Sequence, residues 1–110
     1  MKVYWTLEAR ERLLEIENYI SQYSPKAARS VAARLLQRSR RLALPPLTGR
    51  RLPEYPEADL REVLERPFRL IYWAKGDRIE ILTVKHYRQR LPRSPKRIRN
   101  ASPVTPRPPQ

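Results

Sequence analysis

The second half of the chain contains four side chains of the types that could cleave RNA without a metal ion: Glu62, Arg69, His86 and Tyr87. In such a reaction the RNA's own 2′-hydroxyl attacks the phosphate. A base must take the 2′ proton, a cation must stabilise the developing charge, and an acid must protonate the leaving oxygen. Glu62, Arg69 and either His86 or Tyr87 could take these roles. The structural alternative is an ion pair between Arg69 and Glu62 or Glu80, with His86 only ending a strand.

Composition excludes several other chemistries. The chain has no cysteine, which rules out disulfides, thiol catalysis and cysteine-ligated zinc or iron–sulfur sites. A single histidine cannot form a histidine-rich metal site, and two glycines leave no room for a phosphate-cradling loop. We therefore expect neither a metal nor a cofactor.

The net charge of +13 arises from 24 basic and 11 acidic residues, and it is unevenly distributed. Residues 18–53 and residues 81–110 each hold eight lysines and arginines and no acid. Such asymmetry favours an anionic partner, which could be nucleic acid, a ribosome or an acidic protein segment. No helix-turn-helix pattern is present, which argues against a DNA-binding or autoregulatory module.

The chain shows no targeting or membrane-spanning pattern. A strand pattern begins at once with residues 2–5, where a signal peptide would have an apolar segment, and no apolar run is long enough to cross a bilayer. We expect a cytoplasmic protein without a membrane partner, which also fits the absence of cysteine.

Two helices are predicted after the first strand. Thr6 is a suitable N-cap, and apolar residues then recur at helical spacing until about Tyr23. Ser24 and Pro25 can begin a second helix, because a proline in the first turn loses no hydrogen bond. The prolines at positions 45 and 46 end it. A short connection makes these helices an αα-hairpin.

Three further strands are predicted at residues 60–65, 68–74 and 78–85, with tight turns between them. Successive hairpins make an antiparallel meander, and the first strand joins one edge. The predicted fold class is α+β, a helical hairpin packed on a small antiparallel sheet in the order β-α-α-β-β-β. It forms one domain over residues 1–90.

Side-chain alternation assigns the two faces of this sheet. The face predicted to meet the helices carries Arg61, Val63, Phe68, Leu70, Tyr72, Ile79, Ile81 and Thr83. The other face carries Leu60, Glu62, Leu64, Arg69, Ile71, Trp73, Glu80, Leu82, Val84 and His86. No predicted element remains to cover the second face, which indicates a binding surface.

Residues 91–110 are predicted to be a basic, proline-rich, disordered tail. From Gln89 onwards, six of 22 residues are proline and none is acidic. The segment could be an interaction arm or a passive tail.

The order and spacing of several short segments resemble the RelE/ParE family of bacterial toxins, over residues 2 to about 90. The segments are the opening strand with Thr6, Gly49-Arg50 before Pro53-Glu54, Leu60-Arg61-Glu62, Phe68-Arg69-Leu70-Ile71-Tyr72 and Val84-Lys85-His86. The long helical hairpin and the strand with an arginine before an apolar pair are closer to the ParE subgroup.

This resemblance implies two helices on an antiparallel sheet, and a toxin of a type II toxin–antitoxin pair. ParE-like members poison DNA gyrase, whereas RelE-like members cleave mRNA on the ribosome. We expect a gyrase inhibitor without enzymatic activity. The alternative is a ribosome-dependent endoribonuclease that uses Glu62, Arg69, His86 and Tyr87.

The resemblance also implies a cognate antitoxin with an acidic, amphipathic C-terminal segment. We expect the antitoxin or the target to bind the second sheet face and the basic groups near it. The expected contacts are Leu64, Arg69, Ile71, Trp73, Leu82, His86, Arg88 and Arg90.

Overall fold

The predicted order of elements is confirmed by a computed structural model, which describes the backbone of residues 1–100 and the side chains of residues 1–98. A two-residue strand and a short C-terminal helix are added to that order. The elements are β1 Lys2–Trp5, α1 Leu7–Ser21, α2 Pro25–Arg40, a 3-10 helix Arg41–Ala43, β2 Arg50–Arg51, β3 Arg61–Glu65, β4 Phe68–Lys75, β5 Arg78–His86 and α3 Lys96–Asn100. The part of the predicted tail at 101–110 lies outside the described residues.

Both long helices begin where the sequence predicts, because each has a side-chain cap. The hydroxyls of Thr6 and Ser24 each accept a hydrogen bond from the backbone N–H three residues ahead, which stabilises a helix by about 1 kcal/mol. Helix α1 ends at Ser21, slightly before the predicted Tyr23. Ser24 has an extended backbone when it caps α2. The two residues between Ser21 and Ser24 therefore form the turn between the helices. No helix within residues 1–100 is long and apolar enough to cross a membrane.

The sheet has five strands in the order β1-β5-β4-β3-β2. Strands β3 to β5 form the predicted antiparallel meander, and β2 adds to it by pairing antiparallel with β3. Strand β1, however, pairs in parallel with β5, with Val3 opposite Ile79. The sheet is therefore mixed. The helical hairpin lies between β1 and the meander in sequence, and it provides the long crossover that a parallel pair requires.

A bulge in β5 changes the predicted register of the sheet. Ile71 pairs with Thr83, but the next residue, Tyr72, pairs with Ile81. Leu82 is thus an extra residue on β5 with no partner on β4, which is the defining feature of a β-bulge. Simple alternation no longer holds across this point of the strand.

Downstream of the bulge, Val84 and His86 lie on the face opposite the predicted one. Val84 pairs with Leu70 and His86 pairs with Phe68, so each shares the face of its partner. Val84, Leu70 and Phe68 all belong to the core beneath the helices. The assignment of Val84 and His86 to the second face was therefore wrong, because one extra residue inverts the alternation downstream of it. Lys85 pairs with Arg69 instead.

The helices cover one face of the sheet and form the main core with it. Trp5 is fully buried there, and its indole Nε1 donates to the hydroxyl of Ser39 over 3.1 Å. Burial of each such large side chain contributes about 1.5–3 kcal/mol. The buried cluster is Val3, Trp5, Ala9, Leu13, Ala32, Leu35, Leu42, Val63, Phe68, Leu70, Tyr72, Ile79, Ile81 and Val84.

The second face of the sheet is covered, contrary to the prediction that no element was left for it. The loop between β2 and β3 and the segment after β5 lie over this face and bury a smaller core. Its members are Leu52, Tyr55, Leu60, Ile71, Leu82 and Ile98. The packed structure thus extends beyond the predicted domain boundary at residue 90, at least as far as Ile98, which is buried. The expectation that the tail does not pack was wrong for this part.

Candidate functional site

A network of ion pairs on the second face brings together four arginine and glutamate residues from the segments that resemble the toxin family: Arg50, Glu54, Glu62 and Arg69. Strands β3 and β4 place Glu62 and Arg69 as diagonal neighbours on one face, since Leu64 pairs with Arg69. The Arg69 Nε donates to Glu62 Oε1. The Arg50 Nε donates to the other oxygen, Oε2, over 2.6 Å. Glu62 therefore lies between two guanidinium groups.

Arg69 also reaches the loop that covers this face. Its two terminal nitrogens each donate to one oxygen of the Glu54 carboxylate, at 2.9 Å. This two-point geometry matches the planar guanidinium to the planar carboxylate and makes a strong pair. The network thus ties the 52–60 loop to the sheet beneath it.

The contacts within the network favour the charged forms of Arg69 and Glu54. Burial by itself lowers the pKa of Arg69, but hydrogen bonds to Glu54 and Glu62 outweigh it, and the pKa is raised above the ordinary value. The hydrogen bond from Arg69 lowers the pKa of Glu54, with partial burial opposing it. Near neutral pH Arg69 and Glu54 therefore remain oppositely charged and stabilise one another.

Glu62 is poorly placed to act as a base. Its side chain is 1% exposed, and both carboxylate oxygens accept hydrogen bonds from arginines. A general base must reach the proton that it removes, directly or through one water. The structural alternative, an ion pair between Glu62 and Arg69, is confirmed.

The structure does not bring His86 together with the Glu62–Arg69 pair. His86 lies on the helix side, where its ring meets the edge of Phe68 at 5.9 Å and stacks on Tyr87 at 4.9 Å. Its Nδ1 accepts the backbone N–H of Arg88 over 3.1 Å. His86 and the Glu62–Arg69 pair are therefore on opposite faces of the sheet.

Tyr87 is the predicted catalytic residue that does share a surface with Arg69. It is half exposed, and it lines an open pocket with Leu64 and Arg69. The Arg88 guanidinium lies 5.5 Å from its ring, and the Arg88 Nε donates to its hydroxyl over 3.2 Å. The pocket also includes Arg50, Glu54, Arg66, Pro67 and Phe68.

The expected binding set is only partly accessible. Ile71 and Leu82 are buried in the second core, so their predicted exposure was wrong. Trp73 is half-buried and donates its indole N–H to Glu80. Leu64 is 44% exposed. Arg88 and Arg90 are exposed beyond the end of β5.

A second candidate surface is an apolar groove between the helical hairpin and the ends of β4 and β5, which the sequence reasoning missed. Only Ala9 and Leu13 of α1 are buried, so the later part of its apolar stripe has no complete cover. Tyr19 is 63% exposed. The groove is lined by Arg12, Glu15, Ile16, Tyr19, Ile20, Val31, Pro67, Phe68, Val84, Lys85, His86 and Gln89. The signal was the length of that stripe, which was used only to predict the extent of α1.

Gly49 in the recognised Gly-Arg segment has a structural role next to this network. Its N–H donates to the hydroxyl of Tyr72 over 3.0 Å, and that hydroxyl donates to the carbonyl of Pro46 over 2.9 Å. A Cβ at position 49 would lie 2.5 Å from the carbonyl oxygen of Glu62 and 2.6 Å from the Tyr72 hydroxyl. The close approach excludes any side chain there and places Arg50 beside Glu62.

No group of three or more potential metal ligands of the His, Cys, Asp or Glu types occurs among the residues that the structure describes.

Comparisons with known proteins agree with this architecture. Residues 3–91 match the family described as "ParE toxin of type II toxin-antitoxin system, parDE". The chain is 38% identical over 93 residues to "Putative toxin Y4kP" of Sinorhizobium fredii (strain NBRC 101917 / NGR234), covering 83% of this chain and 93% of that protein. It is 35% identical over 86 residues to toxin RelE2 of Caulobacter vibrioides, covering 77% and 93% respectively.

A solved structure described as the chromosomal ParDE TA system from P. aeruginosa has a chain with a similar fold. The TM-score is 0.65 at 25% sequence identity, and the match covers 78% of this chain and 95% of that one. The family match extends from β1 past the end of β5, and so includes the helical hairpin, the sheet and the arginine–glutamate network. The chain belongs to the ParE toxin family of type II toxin–antitoxin systems.

Proposed function

We propose that this toxin inhibits DNA gyrase by binding it, without catalysing a reaction, and that a cognate antitoxin neutralises it in the cytoplasm. The proposal that the toxin does not act as an enzyme is supported by the burial of Glu62 between Arg50 and Arg69. This arrangement removes the candidate base from solvent. The family relationship supports gyrase as the target, since the resemblance to ParE-like toxins implies it.

The pocket around Leu64 is our candidate surface for the target. It combines exposed apolar area at Leu64 and Tyr87 with the guanidinium groups of Arg66 and Arg69. Aromatic and arginine side chains are enriched at the energetic centres of protein interfaces. Arg88 contacts Tyr87 at this pocket, and the exposure of Arg88 and Arg90 leaves both accessible to a partner.

The groove between the hairpin and the sheet is our candidate surface for the antitoxin. Apolar side chains such as those of Ile16 and Phe68 line it, together with the charged residues Arg12, Glu15 and Lys85. An amphipathic helix could bury its apolar face in such a groove, and its acidic residues would meet a chain of net charge +13. Burial at about 25 cal/mol per Å² over several large side chains makes nanomolar affinity reasonable.

The test of the proposed function is a supercoiling assay with purified gyrase. We expect the toxin to inhibit supercoiling, and an equimolar amount of its antitoxin to restore the activity. In cells with tightly controlled expression, DNA synthesis should stop before protein synthesis. Unchanged supercoiling at toxin concentrations that arrest growth would contradict gyrase as the target.

The runner-up function is a ribosome-dependent mRNA endoribonuclease. One observation favours it: Tyr87 lies in a pocket with Arg50, Arg66 and Arg69, which could hold an RNA phosphate. The matching test is to map mRNA ends after incubation with translating ribosomes. Cleavage within ribosome-bound mRNA would replace the gyrase proposal with this one.

A further inference from the structure

The exposed face of α2 is strongly basic along its whole length. Lys26, Arg29, Arg34 and Arg40 lie on it, and Arg41 continues it in the 3-10 helix that follows. All five are exposed. With a rise of 1.5 Å per residue, this row of cations is about 22 Å long. The helix contains no acidic residue.

Most of these cations have no partner within the described part of the chain. Arg34 approaches Glu65 of β3 at 3.8 Å, and together with Arg40 and Arg41 it lines a shallow concavity beside that carboxylate. No side-chain hydrogen bond or ion pair is present for Lys26, Arg29, Arg40 and Arg41 among residues 1–98. Their positive charges are therefore available to an external anion.

The chemistry of this face favours nucleic acid over protein. The residues between the cations are small or polar, namely Ala27, Ser30, Ala33 and Gln37, and all are exposed. None of the exposed large hydrophobic residues lies on α2. Protein interfaces depend on buried aromatic and apolar anchors, which this face lacks. Phosphate contacts need only cations and polar groups.

We propose that the exposed face of α2 binds the phosphodiester backbone of a nucleic-acid duplex without reading its sequence. A duplex carries about one negative charge per 1.7 Å of its axis, so a stretch as long as this face presents about a dozen phosphates. The site is separate from the apolar groove and from the Leu64 pocket. It therefore adds a nucleic-acid contact to a protein whose proposed target and antitoxin are proteins.

The test measures binding of the full-length toxin to a short, labelled, random-sequence DNA duplex by fluorescence anisotropy over a range of salt concentrations. The variant replaces Lys26, Arg29, Arg40 and Arg41 with glutamine. Each phosphate contact contributes about 0.9 to the slope of log affinity against log salt, so losing all four should reduce the slope by about 3.6. Duplex RNA of the same length should behave similarly, because the contacts are to the backbone.

The matched control replaces Lys2, Arg93, Lys96 and Arg97 with glutamine, which removes the same charge from other exposed positions. We expect it to leave most of the slope intact. An equal loss in both variants would mean that only net charge matters, and the proposal would be wrong. It would also be wrong if the α2 variant lost affinity for polyglutamate but kept its affinity for DNA.

Folding is controlled by a second variant that keeps the charges. Arg29, Arg40 and Arg41 are replaced with lysine, which still contacts phosphate as a point charge. We expect this variant to retain DNA affinity and the wild-type melting temperature. Loss of DNA binding in this variant, with its fold intact, would overturn a backbone-charge mechanism.

Discussion

Arg69 on β4 donates its Nε hydrogen bond to Glu62 on β3, and both side chains are almost completely buried. The same arginine reaches Glu54 in the loop that covers this face. Two residues that looked like a catalytic pair in the sequence therefore hold a loop against the sheet. Arg69 and Glu54 also line the Leu64 pocket, so the same ion pairs that stabilise the fold help to shape that pocket.

The first prediction concerns the buried charge network. Arg69→Ala should lower the free energy of unfolding by about 1–3 kcal/mol, because it leaves one oxygen of the buried Glu62 carboxylate without its hydrogen-bond donor and removes the two-point pair with Glu54. Urea denaturation followed by circular dichroism measures this. Arg51→Ala is the control, since Arg51 forms an exposed pair with Asp59 at 3.8 Å and should contribute less than about 1 kcal/mol. Equal effects of the two changes would show that the network is not structural.

The second prediction concerns the close approach at Gly49. Gly49→Ala should destabilise the fold by about 1–3 kcal/mol, because its Cβ would clash with a carbonyl oxygen that is part of the β3 backbone. At Gly76 nothing lies within 4 Å, but φ is +64°. Gly76→Asn should therefore have little effect, since asparagine tolerates this conformation. A harmless Gly49→Ala in thermal unfolding would contradict the geometry described for this loop.

The third prediction concerns the segment after β5. Ile98→Ala should cost about 2 kcal/mol, because Ile98 is buried in the second core. The exposed neighbour Arg97 serves as the control, and Arg97→Ala should leave the melting temperature unchanged. Native-state hydrogen exchange of β5 would report the same effect locally. An Ile98→Ala protein with wild-type stability would show that the segment does not pack in solution.

The fourth prediction concerns the antitoxin groove. Tyr19→Glu should weaken antitoxin binding at least about tenfold, because Tyr19 lines the groove and an aromatic anchor commonly contributes more than about 1 kcal/mol. Leu14→Glu is matched in exposure, at 57% against 63%, but lies outside the groove. Isothermal titration calorimetry compares the two. Similar losses of affinity would place the antitoxin elsewhere on α1.

The fifth prediction separates an inhibitor from a nuclease. His86→Ala and Tyr87→Phe should leave toxicity and gyrase inhibition nearly unchanged, because an inhibitor needs no proton transfer. For a nuclease, loss of a general acid should reduce the rate by about 10²–10⁴. Dose–response curves for growth arrest make the comparison. Ribosome-dependent mRNA cuts that disappear in either folded variant would support the endoribonuclease.

The sequence by itself determined the elements that depend on local signals. Helix starts followed from Thr6 and Ser24, because capping hydroxyls act within one turn of the chain. The β3–β5 meander followed from alternating apolar residues and short turns. The order and spacing of the short segments that resemble the toxin family were also sufficient to indicate it.

Only the tertiary structure decided which face His86 occupies and which residues cover the Glu62–Arg69 pair. The unpaired Leu82 shifts the register of β5 and places His86 on the helix side, and a bulge of this kind has no sequence signal of its own. The second core could not be predicted from the sequence either. Leu52, Tyr55 and Ile98 are isolated apolar residues in irregular or proline-rich segments, so no periodicity predicted that they would meet. Their contacts are long-range, and burial of Glu62 and Arg69 follows from those contacts.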